Sequence, residues 1–485
     1  MSTENVKPAK EKIDPVVIRV AIVLVVGALA PLFDSTMVNV AIHTIASDMK
    51  AAISTIQWVT TGYILAMGLV IPISGWATKR FGCKRSYILS LVLFLIGSVF
   101  SMLSWNIGSL IVFRVVQGVG AGLMMPVMQT ELVQVSGGRN LGQTMSIVSV
   151  PALLGPILGP VLGGIIVSSF GWRAIFWVNI PICIVTIPLS VWGLPTDKFL
   201  EKKASLDVFG LLLLSPAFAL LIYAITQIAT HGGLNSSAVY NPLIIGIVLM
   251  ALYIVYALNA KLEPALDVRL FKSVNFSISN ILLTLQGIIT NGALLMIPLY
   301  YQDVRGISAL SAGLWMLPQG IGMLLTRGWA GKAADRNGSR NIVLISLVAV
   351  TIGTLPFAFA GTDTNYILLA TALLIRGTGL GGLFIAIMTS ALTGLQKEQI
   401  PHASIATRIF NTIGGAFGSA ILATVAQQQM AGHADSDLHA IAHAFNISFW
   451  WAIGFTIVAV IPTLFLTMHI KTITESSQHE IENKS

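Results

Sequence analysis

The sequence predicts an all-α integral membrane protein: two six-helix bundles plus two extra transmembrane helices, fourteen spans in all, with both termini in the cytoplasm. Three observations carry this reading. The 485 residues are 55% hydrophobic and only 10% charged, with a mean hydropathy of +0.82, and a soluble surface of this size requires far more charge. Apolar runs long enough to cross a bilayer recur from about Val17 to about His469. Cations gather on alternate connections between those runs.

Taken in order, the expected spans of the first half are 17–43, 54–77, 86–104, 108–131, 141–167 and 174–194. A central pair follows at 206–228 and 241–259, and the second half supplies 276–300, 309–330, 341–360, 365–390, 404–425 and 443–468. The first run is too long for a cleaved signal peptide, and Asp34 interrupts it. Lys7, Lys10, Lys12 and Arg19 precede span 1; Lys79, Arg80, Lys84 and Arg85 follow span 2; Lys198, Lys202 and Lys203 follow span 6. Lys332, Arg336 and Arg340 follow span 10, and Lys471 follows the last, whereas the other connections hold little beyond Lys50, Arg173 and Arg305. This asymmetry places both termini inside and requires an even number of spans. The net charge of +8 is therefore topology, not a nucleic-acid footprint. Cys83 falls in a short cytoplasmic connection and Cys183 inside a span, so no disulfide framework is expected. Neither stands beside a His or Asp cluster of metal-ligand spacing, and no metal site is expected.

The chain also repeats. Gly75, Arg80, Gly82 and Lys84, after span 2, each match a residue 256 positions later, in the stretch Gly331 to Arg340 after span 10. A second echo pairs Arg114, in glycine-rich span 4, with Arg376 in glycine-rich span 12. Two echoes at nearly one offset favour duplication over coincidence among basic loops. The resulting division is a cytoplasmic tail over 1–16, a six-helix bundle over 17–195, two linking helices with their loops over 196–272, a second bundle over 273–470 and a tail over 471–485.

Charges inside the spans are few and each carries a cost of several kcal/mol. Asp34 is the one carboxylate well inside span 1, and burial favours its neutral, protonated form. Arg114 in span 4 is its natural partner. Span 1 ends about nine residues beyond Asp34 and span 4 begins about six before Arg114, so at about 1.5 Å per residue the two groups share a height in the outer half of the membrane. A guanidinium pulling towards the carboxylate and desolvation pulling towards the acid can poise such a group for proton exchange. Permanent structural pairing is the alternative. In span 5, Gly155, Gly159 and Gly163 recur every four residues and line one face, with Pro156, Pro160 and Gly164 beside them. A face without side chains admits another helix closely, whether as a plain packing seam or as a functional seal.

These strings carry a resemblance. Gly155 to Gly164 resembles the antiporter signature G-x-x-x-G-P-x-x-G-G of the major facilitator superfamily, and Leu110 to Gly122 resembles the family's l-x-x-x-R-x-x-q-G-x-g-a string, whose Arg is implicated in proton transfer. The stretch Leu32 to Ala41 is similar to L-D-x-T-V-V-N-V-A-L-P of the fourteen-span drug:proton antiporters. Gln57 to Ala66 and Trp172 to Pro181 look like two further strings of that group. The loops after spans 2 and 10 resemble the cytoplasmic signature G-x-L-A-D-R-x-G-R-R, whose acid latches the outward-facing state. This implies a conformational latch at Gly75, Arg80, Gly82, Asp335, Arg336 and Gly338. Lys79 stands where the first-half Asp would be, and Cys83 replaces an Arg, so a charge latch in the first half is doubtful. His43 takes the place of a motif Pro and is either a proton relay or an interfacial His with a satisfied hydrogen bond.

Glu131, near the inner end of span 4, is a second candidate protonation site; a salt bridge to Arg139 is the blander alternative. Trp58, Thr61, Gln117, Met125, Gln286, Asn291, Gln319 and Asn411 are candidates to line a substrate cavity, with ordinary packing or lipid contact the default for the apolar ones. Asp303 and Arg305 fall in an outer loop, as a gate or simply in solvent. No nucleophile–base pair, Lys-bearing phosphate loop or metal cluster stands out, so no enzyme is expected. The resemblance implies a monomeric, proton-coupled exporter of lipophilic, cationic drugs in a bacterial plasma membrane. Such a protein uses the proton gradient and no cofactor, and its partners are small substrates, protons and the bilayer. Export of one metabolite or lipid, or a non-transporting sensor, are the alternatives.

Overall fold

The computed structural model describes residues 14–50, 53–137, 143–144, 151–197, 206–230, 236–260, 264–430 and 438–466. Among these the chain is helical, with no strand. The first half contains α1 (Pro15–Asp48), α2 (Ile53–Val70), α3 (Ile73–Phe81), α4 (Cys83–Met102), α5 (Ile107–Val135), α6 (Pro151–Phe170) and α7 (Arg173–Gly193). The central pair is α8 (Val208–Thr230) and α9 (Ser237–Asn259). The second half contains α10 (Val274–Leu299), α11 (Ala309–Trp315), α12 (Leu317–Asn337), α13 (Ser339–Thr354), α14 (Tyr366–Leu392), α15 (Ile400–Met430), α16 (Leu438–Val458) and the short α17 (Val460–Thr463). Eleven helices among the described residues are long and apolar enough to cross a membrane, or twelve when the α2–α3 pair, bent by 54°, counts as one span. Helices α6 and α12 stand outside that count.

The duplication is visible in the backbone. Gly82 joins α3 to α4 at φ +88° and ψ 161°, and Gly338 joins α12 to α13 at φ +78° and ψ 158°, a conformation open essentially to glycine alone. Helix α5 packs on α2 and α4 as α14 packs on α12 and α13. A side chain at Gly118 would meet the Tyr63 carbonyl at 2.4 Å, and one at Gly377 the Gln319 carbonyl at 2.1 Å. Gly122 and Gly381 face Met67 and Met323 in the same way. Gly97 lies against the Gln117 backbone and Gly353 against that of Arg376. This register corrects the second echo: Arg376 is the counterpart of Gln117, and Leu373 takes the place of Arg114, one helical turn away.

Helix α8 packs on both α2 and α15, so the central pair leans on the side where the halves meet, and α9 covers α8. At the outer end Asp48 accepts hydrogen bonds from Trp172 Nε1 and Arg173 Nη1, both at 2.9 Å. The Trp172 bond and then the Arg173 cation hold its carboxyl below the usual range. The glycine face of α6 has a definite partner, which is α1. Gly155 lies against Leu32, Gly159 against Thr36 and Gly163 against Met37, and Thr36 Oγ1 donates to the Gly155 carbonyl at 3.1 Å.

A methyl at Gly159 would sit 1.8 Å from Thr36 Oγ1. Gly159→Ala is therefore expected to cost about 1–3 kcal/mol by forcing α1 and α6 apart. Gly164→Ala, with nothing within 4 Å, is expected to leave thermal unfolding in detergent unchanged.

Candidate functional site

Asp34 and Arg114 meet. Arg114 Nη1 forms an ion pair with Asp34 Oδ2, and Asp34 Oδ1 accepts from Gln117 Nε2 at 2.9 Å and from Asn179 Nδ2 at 2.8 Å. All four residues are fully buried. Arg114 also donates from Nε to the Val59 carbonyl at 3.2 Å and from Nη1 to Gln117 Oε1 at 2.8 Å. Its guanidinium lies 4.1 Å from the Tyr63 ring centre. Ser98 Oγ accepts from Gln117 Nε2 at 2.8 Å. The network thus ties α1, α2, α4, α5 and α7 together. Such desolvated charges persist only when further hydrogen bonds complete the pair. Asn179 and Tyr63, which fall at lettered positions of the two further motif strings but were not among the expected site residues, supply two of the completing contacts. One atom is left over: Asn179 Oδ1 is buried without a partner.

The second half repeats the scaffold without the acid. Arg376 donates to Thr354 Oγ1 at 3.2 Å, Gln319 Oε1 at 2.6 Å and the Ile289 carbonyl at 2.9 Å. Its charge meets neutral oxygens only, so it has no proton to exchange with a carboxylate partner.

A cavity of about 660 Å³ lies between the halves, the size of a drug-binding pocket. Of the residues expected to line it, Met125, Gln286, Asn291 and Asn411 do. Asn411 Nδ2 donates to Gln286 Oε1 at 2.7 Å, and Gln286 Nε2 to Thr290 Oγ1 at 2.8 Å. Gln117 and Gln319 belong instead to the two arginine networks. Trp58 is 44% exposed and stacks on Tyr223 with centroids 6.2 Å apart, and Thr61 is also outside the lining. Two charged lining residues were not anticipated: Arg327 on α12 and Arg408 on α15. Their signal in the sequence is a lone cation within each apolar run. Tyr63 lines the cavity and also covers Arg114, and Pro31, Leu32, Ser35 and Thr36 of α1 line it one turn from Asp34.

Glu131 sits elsewhere, 17 residues along α5 from Arg114, or about 25 Å away. It is buried beside Cys83 and Asp197, with their ligand-type atoms all within 4.8 Å of one another. The sequence expectation, that neither cysteine sits beside a His or Asp cluster of metal-ligand spacing, does not extend to space, because these three residues come from separate segments. Burial pushes the Asp197 carboxyl up, against backbone hydrogen bonds at the start of α4. Arg139 lies outside the described residues, as do the side chains of His43, Asp335 and Arg336. Of the remaining latch residues, Gly75, Arg80 and Gly82 lie on α3 and at its joint with α4, and Gly338 at the α12–α13 joint; Arg80 is exposed, and a side chain at Gly75 would meet Ile405 of α15 at 2.8 Å. Lys79 Nζ lies 3.0 Å from His402 Nε2, and His402 Nδ1 3.2 Å from the Ala265 carbonyl. With the ammonium donating, the ring takes the tautomer protonated at Nδ1. A Lys–His bridge thus crosses between the halves where the family signature carries an acid. Asp303 is exposed, while Arg305 donates to the Thr364 carbonyl at 2.7 Å.

The sequence model of the Major Facilitator Superfamily matches residues 24–419. The chain is 32% identical over 421 residues to the multidrug resistance protein B homolog of Mycobacterium tuberculosis, covering 86% of this chain and 78% of that one. It is 28% identical over 454 residues to the riboflavin transporter RibZ of Clostridioides difficile, covering 92% and 96%. Among solved structures, the proton:xylose symporter XylE superposes with a TM-score of 0.64 at 15% identity, covering 93% of this chain and 96% of that one.

Removing one member of the buried pair leaves the other uncompensated. Arg114→Ala is expected to cost about 3–5 kcal/mol of stability, and the neutral double variant Asp34→Asn/Arg114→Gln to recover most of that loss. Thermal unfolding in detergent reads both.

Proposed function

The chain belongs to the Major Facilitator Superfamily, and from that premise we propose that it is a proton-coupled antiporter exporting lipophilic drugs from the cytoplasm by alternating access. The observation that carries the reading is the buried Asp34–Arg114 pair against the cavity wall. The similarity to a multidrug resistance protein supports the drug-export part. On this reading α6, α12 and the bent α2–α3 pair join the eleven apolar helices to make fourteen spans. Both termini then face the cytoplasm of a bacterial plasma membrane, and the protein works as a monomer. It is a transporter and not an enzyme, and it draws on the proton gradient without a cofactor.

An external proton reaches Asp34 in the empty, outward-facing protein. The neutral acid no longer holds Arg114 as an ion pair, and its new O–H needs an acceptor among groups that now only donate to it. Asn179 Oδ1, buried without a partner, becomes that acceptor if the amide turns over. The change acts on α1, whose Pro31–Thr36 stretch lines the cavity and is cradled by the α6 glycine face. The halves rock about the cavity. Drug entering from the cytoplasm then favours re-formation of the pair and release of the proton inside. Each proton moving inward yields about 2.3 kcal/mol per 100 mV, plus any pH gradient. The cationic cargo expected from the resemblance finds no carboxylate among the described residues of the cavity lining and is not part of this proposal.

A dedicated exporter of one metabolite is the second reading, favoured by the similarity to a riboflavin transporter. A panel of unrelated lipophilic compounds separates the two, since a multidrug exporter moves many and a dedicated one moves few.

In proteoliposomes with an imposed proton gradient, the wild type is expected to accumulate drug in a gradient-dependent way. Asp34→Asn is expected to reduce this to background while retaining drug-for-drug exchange. Gradient-driven transport by that variant at wild-type rate would remove Asp34 from the coupling.

A further inference from the structure

We propose that the cavity selects amphipathic organic anions, with Arg327 and Arg408 as its carboxylate- or phosphate-binding pair. This rests on the reading of the same cavity as the transport site. Both arginines line it, and among the described residues no Asp or Glu does. Neither forms an ion pair with a carboxylate among the described residues. Arg327 is only 4% exposed, yet its Nε and Nη1 have no hydrogen-bond partner.

The other two buried arginines make the contrast. Arg114 is neutralised by Asp34, and Arg376 spends its donors on Gln319, Thr354 and the Ile289 carbonyl. A desolvated guanidinium without such partners is costly. Its planar fork matches a carboxylate or phosphate in two parallel hydrogen bonds, so a bound anion offsets the cost that the protein leaves open. Asp34 cannot serve, since its oxygens are committed to Arg114, Gln117 and Asn179. The rest of the wall fixes the other end of the ligand. Met67, Met125, Leu294, Met323 and Phe384 give an adaptable apolar surface, while Gln286 and Asn411 present amide groups. An aromatic or alkyl body bearing one acidic group fits both features, and a lipophilic cation would face two positive charges.

The test is equilibrium binding to the detergent-purified full chain, which needs neither gradient nor turnover. Fluorescein, an anion, and rhodamine 6G, a cation on a similar three-ring body, are titrated and read by fluorescence polarisation. Fluorescein is expected to bind the more tightly. Arg327→Gln and Arg408→Gln are each expected to weaken it at least about tenfold while leaving rhodamine 6G unchanged or tighter. Arg327→Lys, which keeps the charge and controls for folding, is expected to recover part of the loss. Tighter binding of rhodamine 6G by the wild type, or fluorescein affinity unmoved in both glutamine variants, would overturn the proposal. Phosphatidylglycerol added to the micelles distinguishes two sources of the same chemistry: displacement of fluorescein supports the anion site and makes a lipid headgroup its occupant. Charge-selective binding without gradient-driven transport would support this proposal while striking the transport reading.

Discussion

A carboxylate and a guanidinium buried together within the membrane impose conditions on everything near them. The pair is tolerable only when its spare lone pairs and protons are taken up, and here that work falls to Gln117, Asn179 and Val59, with Ser98 behind them. Those partners come from four different helices. Holding one ion pair therefore aligns most of the first bundle. The tight crossings at Gly97 and Gly118 follow from the same need, since Gln117 and its neighbours must approach α2 and α4 at backbone distance.

The two halves share a scaffold and divide the labour. At equivalent register the first half carries Gln117 next to an acid-paired Arg114, while the second carries Arg376 among neutral oxygens. The amide and charged side chains of the cavity show the opposite bias: Gln286, Asn291, Asn411, Arg327 and Arg408 all come from the second half. On the proposed reading, proton chemistry sits in one bundle and ligand chemistry in the other. They touch through Tyr63 and the Pro31–Thr36 stretch of α1, which belong to both sites. Because the glycine face of α6 grips that same stretch, a change in the charge of Asp34 cannot be absorbed by α1 alone.

Much of this was legible in the residues. Helix rise and the opposite run of neighbouring spans were enough to place Asp34 and Arg114 at one depth, because both lie in regular apolar helices. The Gly75–Gly82 and Gly331–Gly338 echo was readable because a turn open essentially to glycine constrains the sequence directly. What escaped depended on three-dimensional neighbours. The partner of the Gly155–Gly163 face is a matter of bundle topology. Cys83, Glu131 and Asp197 gather from separate segments. The pairing of Arg114 with Arg376 went astray by one turn because charge is a looser guide to register than the glycines beside it.

On the proposed mechanism, drug and proton compete through Asp34. The direct measurement is proton release from detergent-purified protein, followed with a pH indicator in weak buffer as a transported lipophilic compound is added, comparing wild type with Asp34→Asn. Release from the wild type that disappears in the variant, although the compound still binds, is the expected result. Equal release from both, or binding to the wild type with no release at all, would contradict it.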